Sequence, residues 1–264
     1  MFDYVLVPSD GGPELRGALT PASDLAWRCG AKLVVISTTP ATDEASRLML
    51  KSEAIAQSGA DIDFWVDLDH EIGEALIIAA SFRPNSIICT ATRYKQGGLM
   101  RRRAVVEVPR TVFTETPTPI LAIGPEADVS RGLPMGEVVM VHDGSILCGS
   151  TLATAAEWAL RLKLELVMVG LLSPNASVDE RDWLVQQLEA ALAEVAGSVP
   201  VASLEIVESR DPVDTMVAFL TEHRESIFVV GPDKDGSATA TPGSFGAALL
   251  RTAPQALFFP ARKG

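Results

Sequence analysis

The sequence has 264 residues, of which 47% are apolar, and its formal net charge is −12. Because domains commonly hold about 100–150 residues, this length favours two domains over one. The strong negative charge argues against non-specific binding to nucleic acids and to anionic membranes. The basic run Arg101–Arg103 is typical of a solvated helix face.

The sequence also predicts a compartment. Its opening residues, MFDYVLVPSD, lack the basic region and the long apolar run of a secretory signal. No stretch reaches the roughly 18 apolar residues that a membrane span needs. The three cysteines, Cys29, Cys89 and Cys148, lack CxxC spacing and are typical of reduced thiols. We therefore expect a cytoplasmic protein.

Apolar runs and helical patterns alternate through the first half of the chain. The predicted strands span residues 4–7, 32–37, 62–66, 86–90 and 119–123, and the predicted helices span 13–29, 42–58, 71–82 and 99–113. The apolar runs are continuous, which is typical of strands covered on both faces. This alternation favours an α/β fold with a doubly wound parallel sheet and right-handed crossovers.

A polar stretch with Pro and Gly, residues 126–136, predicts a linker between domains 1–125 and 137–264. After it the same pattern restarts. The predicted strands span residues 137–141, 164–170, 201–207, 226–230 and 257–259, and the predicted helices span 151–162, 178–196, 212–222 and 245–252. The repeated order of elements indicates an internal duplication.

Two loops recur in equivalent places of the two halves. The first strand is followed by Asp10-Gly11-Gly12 in one half and by Asp143-Gly144-Ser145 in the other. The fourth strand ends at Ala91 in one half and at Gly231 in the other. In an open α/β sheet the carboxyl ends of these two strands flank the crevice where ligands bind. We therefore expect Asp143 and the loop 231–244 to face each other across one pocket.

The loop 231–244, GPDKDGSATATPGS, is rich in small residues and precedes a predicted helix. Such a loop lets the backbone approach an anion, and the first N–H groups of the helix point toward it. An ordinary surface loop in which Ser244 caps the helix would have the same composition. Asp10 and Asp143 can likewise be read as simple helix caps.

Two motifs together resemble those of the universal stress proteins, and the resemblance covers nearly all of both halves. The first is strand-Val-Pro-x-Asp-Gly-Ser, which is matched by LVPSDGG at 6–12 and by VMVHDGS at 139–145. The second follows the fourth strand as Gly, two residues, Gly, nine residues, Gly and then Ser or Thr. The resemblance implies a tandem protein with an adenine-nucleotide α-hydrolase-like domain, a five-stranded doubly wound parallel sheet, in each half.

Family members that keep the second motif bind ATP, and the resemblance places such a site in the second half. Gly231 matches the first glycine and Gly243-Ser244 the last pair, whereas Lys234 replaces the middle glycine and the spacing is one residue short. Lys234 could neutralise phosphate, but Asp233 and Asp235 oppose a nucleotide unless Mg²⁺ is present. The implied ligand is ATP or AMP, with Mg²⁺ if ATP is bound. The implied contacts are Val141, Asp143, Gly144, Gly231, Lys234, Gly243, Ser244 and Phe245.

The first half departs from the second motif. Ala91 and Tyr94 stand where the first two glycines would be, and Ala104-Val105 stands where Gly-Ser would be. A tyrosine pays heavily for a positive φ, so Tyr94 cannot replace glycine there. Asp10 and Arg93 remain as a degenerate second site, which we expect to be blocked or used differently.

The resemblance implies a stress-response regulatory protein whose fifth strands pair, so that the two halves form an internal pseudo-two-fold dimer. The alternative is an interaction scaffold for an unidentified protein partner, with both pockets vestigial. His70 and His223 lie at the ends of elements and are expected to be solvated, and His142 points away from Asp143 in an extended strand. We see no catalytic constellation or metal-ligand spacing, so at most weak ATP hydrolysis is expected.

Overall fold

The computed structural model describes residues 2–9, 14–38, 59, 61–91, 111–113, 115–128, 132–133, 136–142, 149–195, 197–199, 202–231 and 245–260. The chain divides into a first unit, Met1–Leu133, and a second unit, Pro134–Lys263. The point of division lies inside the segment that the sequence predicts as a linker. In the part of the chain that is described, no helix combines the length and apolar character that crossing a membrane requires.

The first unit is built on a parallel sheet. Its strands are β1 (Tyr4–Ser9), β2 (Lys32–Ser37), β3 (Ile62–Val66), β4 (Ser86–Ala91) and β5 (Ile120–Ile123), and its described helices include α1 (Glu14–Cys29) and α2 (Ile72–Ser81). The strand order is β3-β2-β1-β4-β5, and each neighbouring pair is parallel. The order reverses at β1, which confirms the predicted doubly wound sheet.

The core of the first unit explains its continuous apolar runs. Val5, Leu6 and Val7 of β1 are fully buried, as are Leu33 and Val34 of β2. Both faces of each strand are therefore covered, because neighbouring side chains along a strand point to opposite faces. The helix α1 contributes a buried stripe at helical spacing, which consists of Leu19, Ala22, Leu25 and Ala26.

The second unit repeats this topology. Its strands are β6 (Glu137–His142), β7 (Glu165–Leu172), β8 (Ala202–Glu208), β9 (Ile227–Val230) and β10 (Leu257–Phe259), and its described helices are α3 (Gly149–Leu162), α4 (Val178–Val195), α5 (Pro212–Glu222) and α6 (Phe245–Thr252). The strand order is β8-β7-β6-β9-β10, and the neighbouring pairs are again parallel. Each observed strand overlaps its prediction.

Two helices of the second unit begin at side-chain caps. Asp211 accepts hydrogen bonds from the backbone N–H groups of Val213 and Asp214, so α5 starts at Pro212 as predicted. Ahead of α4, Ser177 and Glu180 form a reciprocal capping box. The Ser177 N–H donates to Glu180 Oε2 over 2.7 Å, and the Glu180 N–H donates to Ser177 Oγ over 3.2 Å. The hydrogen bonds that the Ser177 N–H and hydroxyl donate to the carboxylate lower the pKa of Glu180.

Some predicted elements lie outside the described residues. The helix predicted over 42–58 is among them, as are the loops 10–12, 143–145 and 232–244. Of the helix predicted over 99–113, only residues 111–113 are described, and these are helical.

Residue Leu133, within the predicted linker, is held against α1. The side chain of Leu133 is 4% exposed, and its backbone N–H donates to Asp24 Oδ2 over 2.7 Å. Arg28 forms a forked ion pair with Asp24 at 2.9 Å for both bonds and also donates to the Leu133 carbonyl over 3.4 Å. Gly132 takes a positive φ of 75°, and a Cβ there would lie 2.7 Å from Asp24 Oδ2. Residues 132 and 133 are therefore packed against α1 of the first unit.

Replacing Asp24 tests the importance of this contact. Asp24→Ala removes the partner of Arg28 and the acceptor of the Leu133 N–H, so we expect a loss of about 2 kcal/mol in the free energy of unfolding. Glu157→Ala is a matched control, because Glu157 pairs with Arg161 at the same i,i+4 spacing but with both side chains about half exposed. The control should change stability by less than about 0.5 kcal/mol.

The measurement is urea unfolding followed by circular dichroism, together with amide hydrogen exchange at Leu133. Faster exchange of that amide in Asp24→Ala is expected. Equal effects of the two substitutions would show that the contact with Leu133 adds no stability.

Candidate functional site

The carboxyl ends of β6 and β9 lie side by side. Val141, near the end of β6, pairs in parallel with Val230, the last residue of β9. The segment that begins with Asp143 and the segment that begins with Gly231 therefore leave the sheet from adjacent strands. This is the switch point of the second unit, since strand order reverses at β6.

Three of the predicted contact residues are described by the structure. Val141 is buried, with 5% of its surface exposed, and Gly231 and Phe245 are half-buried. Gly231 directly follows β9, and Phe245 is the first residue of α6. The other predicted contacts lie outside the described residues, and their roles stay predictions. They are Asp143, Gly144, Lys234, Gly243 and Ser244, with Asp10 and Arg93 in the first unit.

A side chain at Gly231 would make a tight contact, whereas the backbone conformation there does not call for glycine. Its φ is not among the positive values found at described glycines. A Cβ at this position would lie 3.3 Å from Thr151 Oγ1 and 3.5 Å from Thr151 Cγ2. A larger side chain would therefore press against the start of α3, and glycine lets the end of β9 approach that helix.

Thr151 lies beside Gly231, but neither sequence motif includes it. Its side chain is 2% exposed, and its hydroxyl has no hydrogen-bond partner. Within the described part of the chain, Ser23 Oγ and Gln255 Oε1 are the other buried polar atoms in this condition. The available signal was a threonine in the first turn of the helix that follows Asp143. The sequence alone does not reveal that Thr151 lies beside Gly231.

The first unit makes the corresponding approach with different residues. A Cβ on Gly17 of α1 would lie 3.6 Å from Ala91 Cβ at the end of β4. Nearby, Cys89 is fully buried, and its Sγ lies 3.6 Å from the carbonyl oxygen of Ala18. Burial raises the pKa of the Cys89 thiol far above its ordinary value, so the sulfur stays protonated and unreactive. The contact between Gly17 and Ala91 is apolar.

His223 belongs to a polar cluster near the amino end of β6, and its side chain, which is 30% exposed, is hydrogen-bonded and only partly solvated. Its Nδ1 lies 2.6 Å from Glu137 Oε1, and its ring stacks on Phe219 with centroids 4.0 Å apart. Ser226 Oγ donates to the same Glu137 oxygen over 2.9 Å. Serine and histidine thus both contact the carboxylate. In a serine–histidine–acid triad the histidine lies between the other two side chains, so this cluster is not a triad. The cluster ties α5 and the start of β9 to β6.

His70 is exposed, as predicted, but it is paired with a carboxylate. It follows the end of β3, and its Nδ1 lies 3.0 Å from both carboxylate oxygens of Asp67. This hydrogen bond raises the pKa of His70 and lowers the pKa of Asp67. Among the described residues no cluster of His, Cys, Asp and Glu has the size of a metal site.

Comparisons with known proteins identify the fold. No family model and no curated protein matches the sequence. A universal stress protein from Archaeoglobus fulgidus DSM 4304 has a similar structure, with a TM-score of 0.69 over 99% of both chains at 15% identity. The chain has the fold of the universal stress proteins. A functionally unknown protein from Pseudomonas aeruginosa PAO1 shares it, with a TM-score of 0.68 over 98% of this chain and 92% of that one at 14% identity.

A similar fold also occurs in a domain of a transport protein. The cytoplasmic domain of a prokaryotic cation chloride cotransporter matches with a TM-score of 0.58 over 99% of this chain and 96% of that one, at 13% identity. At such low identities the likeness establishes architecture. The function must be argued from the site.

The pair formed by His70 and Asp67 has a measurable consequence. The ordinary pKa of histidine is 6.5, and we expect the His70 ring protons to titrate above that value in NMR spectra. Because the folded chain then holds the proton more tightly than the unfolded chain, the stabilisation is complete below about pH 6.5. It is lost as the pH rises through the folded-state pKa.

Two substitutions distinguish the effect of this hydrogen bond on the His70 pKa from the effect of nearby negative charge. Asp67→Asn removes the charged acceptor and should return the His70 pKa toward 6.5. Asp69→Asn is the control, because Asp69 acts on His70 through charge alone, and it should move the titration less. Equal shifts in the two variants would disprove the assigned cause.

Proposed function

We propose that the chain is a regulatory protein of the universal stress protein type, with two tandem domains, that binds ATP or AMP in its second unit. The observation that carries the proposal is the junction of β6, β9 and α3. There the strands that precede Asp143 and the loop 231–244 are neighbours, and Gly231 lies close to Thr151 of α3. Ligands of doubly wound sheets bind at this edge.

The site combines two kinds of contact. Val141 and the backbone at Asp143 and Gly144 would hold adenine. The loop after β9 would hold ribose and phosphates through the other predicted contacts, which are Gly231, Lys234, Gly243, Ser244 and Phe245. The helices α3 and α6 follow β6 and β9 in the chain and so start at the same edge, where their N-terminal partial charges favour an anion.

The charged residues of the loop determine whether ATP or AMP would bind more readily and whether Mg²⁺ would be needed. Lys234 would neutralise one phosphate, whereas Asp233 and Asp235 would repel a triphosphate unless a cation lies between them. Mg²⁺ would supply that cation with ATP and would be dispensable with AMP. In the first unit Ala91 and Tyr94 replace the motif glycines, so Asp10 and Arg93 remain as a degenerate site without a phosphate cradle.

The proposed output is a change of surface. Nucleotide binding would alter the surface around the loop after β9, and a protein partner in the cytoplasm would recognise that surface during stress. The alternative is a scaffold in which both pockets are vestigial. The likeness to a transporter's cytoplasmic domain favours it, because that domain has the same fold without being named a stress protein.

The first experiment is a thermal-shift titration of the whole chain with ATP, ADP and AMP, with and without Mg²⁺. Selective binding to the folded state must raise the melting temperature, and ligand at about 100 times its Kd adds about 2.7 kcal/mol of stability. Gly231→Val should abolish the shift, because its side chain would fill the space between β9 and Thr151.

Ala91→Val is the matched control, since it enlarges the residue at the end of β4 in the first unit. It should leave the nucleotide-induced shift unchanged. The melting temperature of each variant without nucleotide separates a loss of binding from a loss of folding. No shift at millimolar nucleotide would refute the nucleotide proposal and leave the scaffold.

A further inference from the structure

A buried hydroxyl without a partner lies at the proposed site. Thr151 is 2% exposed, and its Oγ1 makes no hydrogen bond. The place where a side chain at position 231 would begin lies 3.3 Å from Thr151 Oγ1. Because Gly231, which directly follows β9, has no side chain, no methyl group at this position lies against the hydroxyl.

Such a hydroxyl destabilises the free protein. Burying a hydroxyl removes its hydrogen bonds to water, and nothing in the protein replaces them here. Valine has nearly the same shape and would fill the same space without that cost. A ligand oxygen would supply the missing hydrogen bond, so the unfavourable free energy of burying the hydroxyl would be offset only in the bound state.

The position of Thr151 in α3 indicates the chemistry of that ligand. It is the third residue of a helix of 14 residues. The first four N–H groups of a helix lack partners within it and carry a partial positive charge. This environment favours an anionic oxygen over the neutral atoms of adenine or a ribose hydroxyl. The hydroxyl would then act as a donor, and a bond to a charged acceptor is the stronger kind.

We propose that Thr151 Oγ1 donates a hydrogen bond to a phosphate oxygen of the nucleotide bound in the second unit, which makes the site prefer a phosphorylated nucleotide over the nucleoside. This inference rests on the proposed function and adds to it a specificity-determining residue. The motif residues carried over from the resemblance do not include Thr151.

The test compares two substitutions in the whole chain. Thr151→Val removes the hydroxyl and keeps the shape, whereas Thr151→Ser keeps the hydroxyl. Binding of AMP, adenosine and inorganic phosphate is measured by calorimetry. We expect Thr151→Val to weaken AMP binding about tenfold and to change adenosine binding by less than about twofold. Thr151→Ser should bind AMP within about threefold of the original chain.

The melting temperature without ligand is a second readout, which shows whether the buried hydroxyl destabilises the free protein. Without ligand, Thr151→Val should melt roughly 2–4 °C higher than the original chain, because it removes a buried unsatisfied group. Ser23→Ala is the control, since Ser23 is fully buried and its hydroxyl also has no partner, but it lies on α1 of the first unit. It should leave AMP binding unchanged.

The outcomes separate this inference from the proposed function. If the original chain binds AMP and Thr151→Val binds it equally well, the inference is overturned and the nucleotide site stands. If Thr151→Val weakens adenosine and AMP by the same factor, the hydroxyl contacts the nucleoside and the phosphate assignment is wrong. If the original chain binds neither AMP nor ATP, the proposed function fails and this inference fails with it.

Discussion

Parallel pairing of one central strand on both of its sides determines the rest of each unit. In the second unit β6 pairs with β7 on one side and with β9 on the other. Because all three run in the same direction, each must be followed by a connection that starts at the carboxyl edge. The pairing of Val141 with Val230 then decides which two connections are adjacent. The location of the candidate site is thus a consequence of sheet register, before any side chain is considered.

The strands were predictable because parallel sheets bury both faces. Lys32–Ser37 is observed as predicted, since its apolar run ends where burial ends. At Gly170 the sequence pattern predicts the end of a strand incorrectly. The sequence suggests a strand end at this glycine, but β7 continues to Leu172. A Cβ at Gly170 would lie 2.6 Å from Leu188 Cδ1 and 2.9 Å from Ile206 Cδ1. This glycine makes room for packing on the strand rather than ending it.

The motif loops could be placed from the sequence, whereas the contacts that build the structure around them could not. Asp24 and Leu133 are 109 residues apart in the chain, and Glu137 and His223 are 86 residues apart. No local pattern marks such pairs, because their side chains meet only after the sheet has formed. The same reason hid Thr151, which lies beside Gly231 just after the end of β9.

The two units place a glycine on opposite sides of the same contact. In each, the helix after the first strand lies close to the end of the fourth strand, and one partner in that contact is glycine. The first unit places glycine on the helix, at Gly17, and a methyl group on the strand, at Ala91. The second unit places glycine directly after the strand, at Gly231, and a hydroxyl-bearing side chain on the helix, at Thr151. Of these two contacts between described residues, only the second includes a side-chain hydroxyl. Shared topology therefore does not imply shared chemistry, even within one chain.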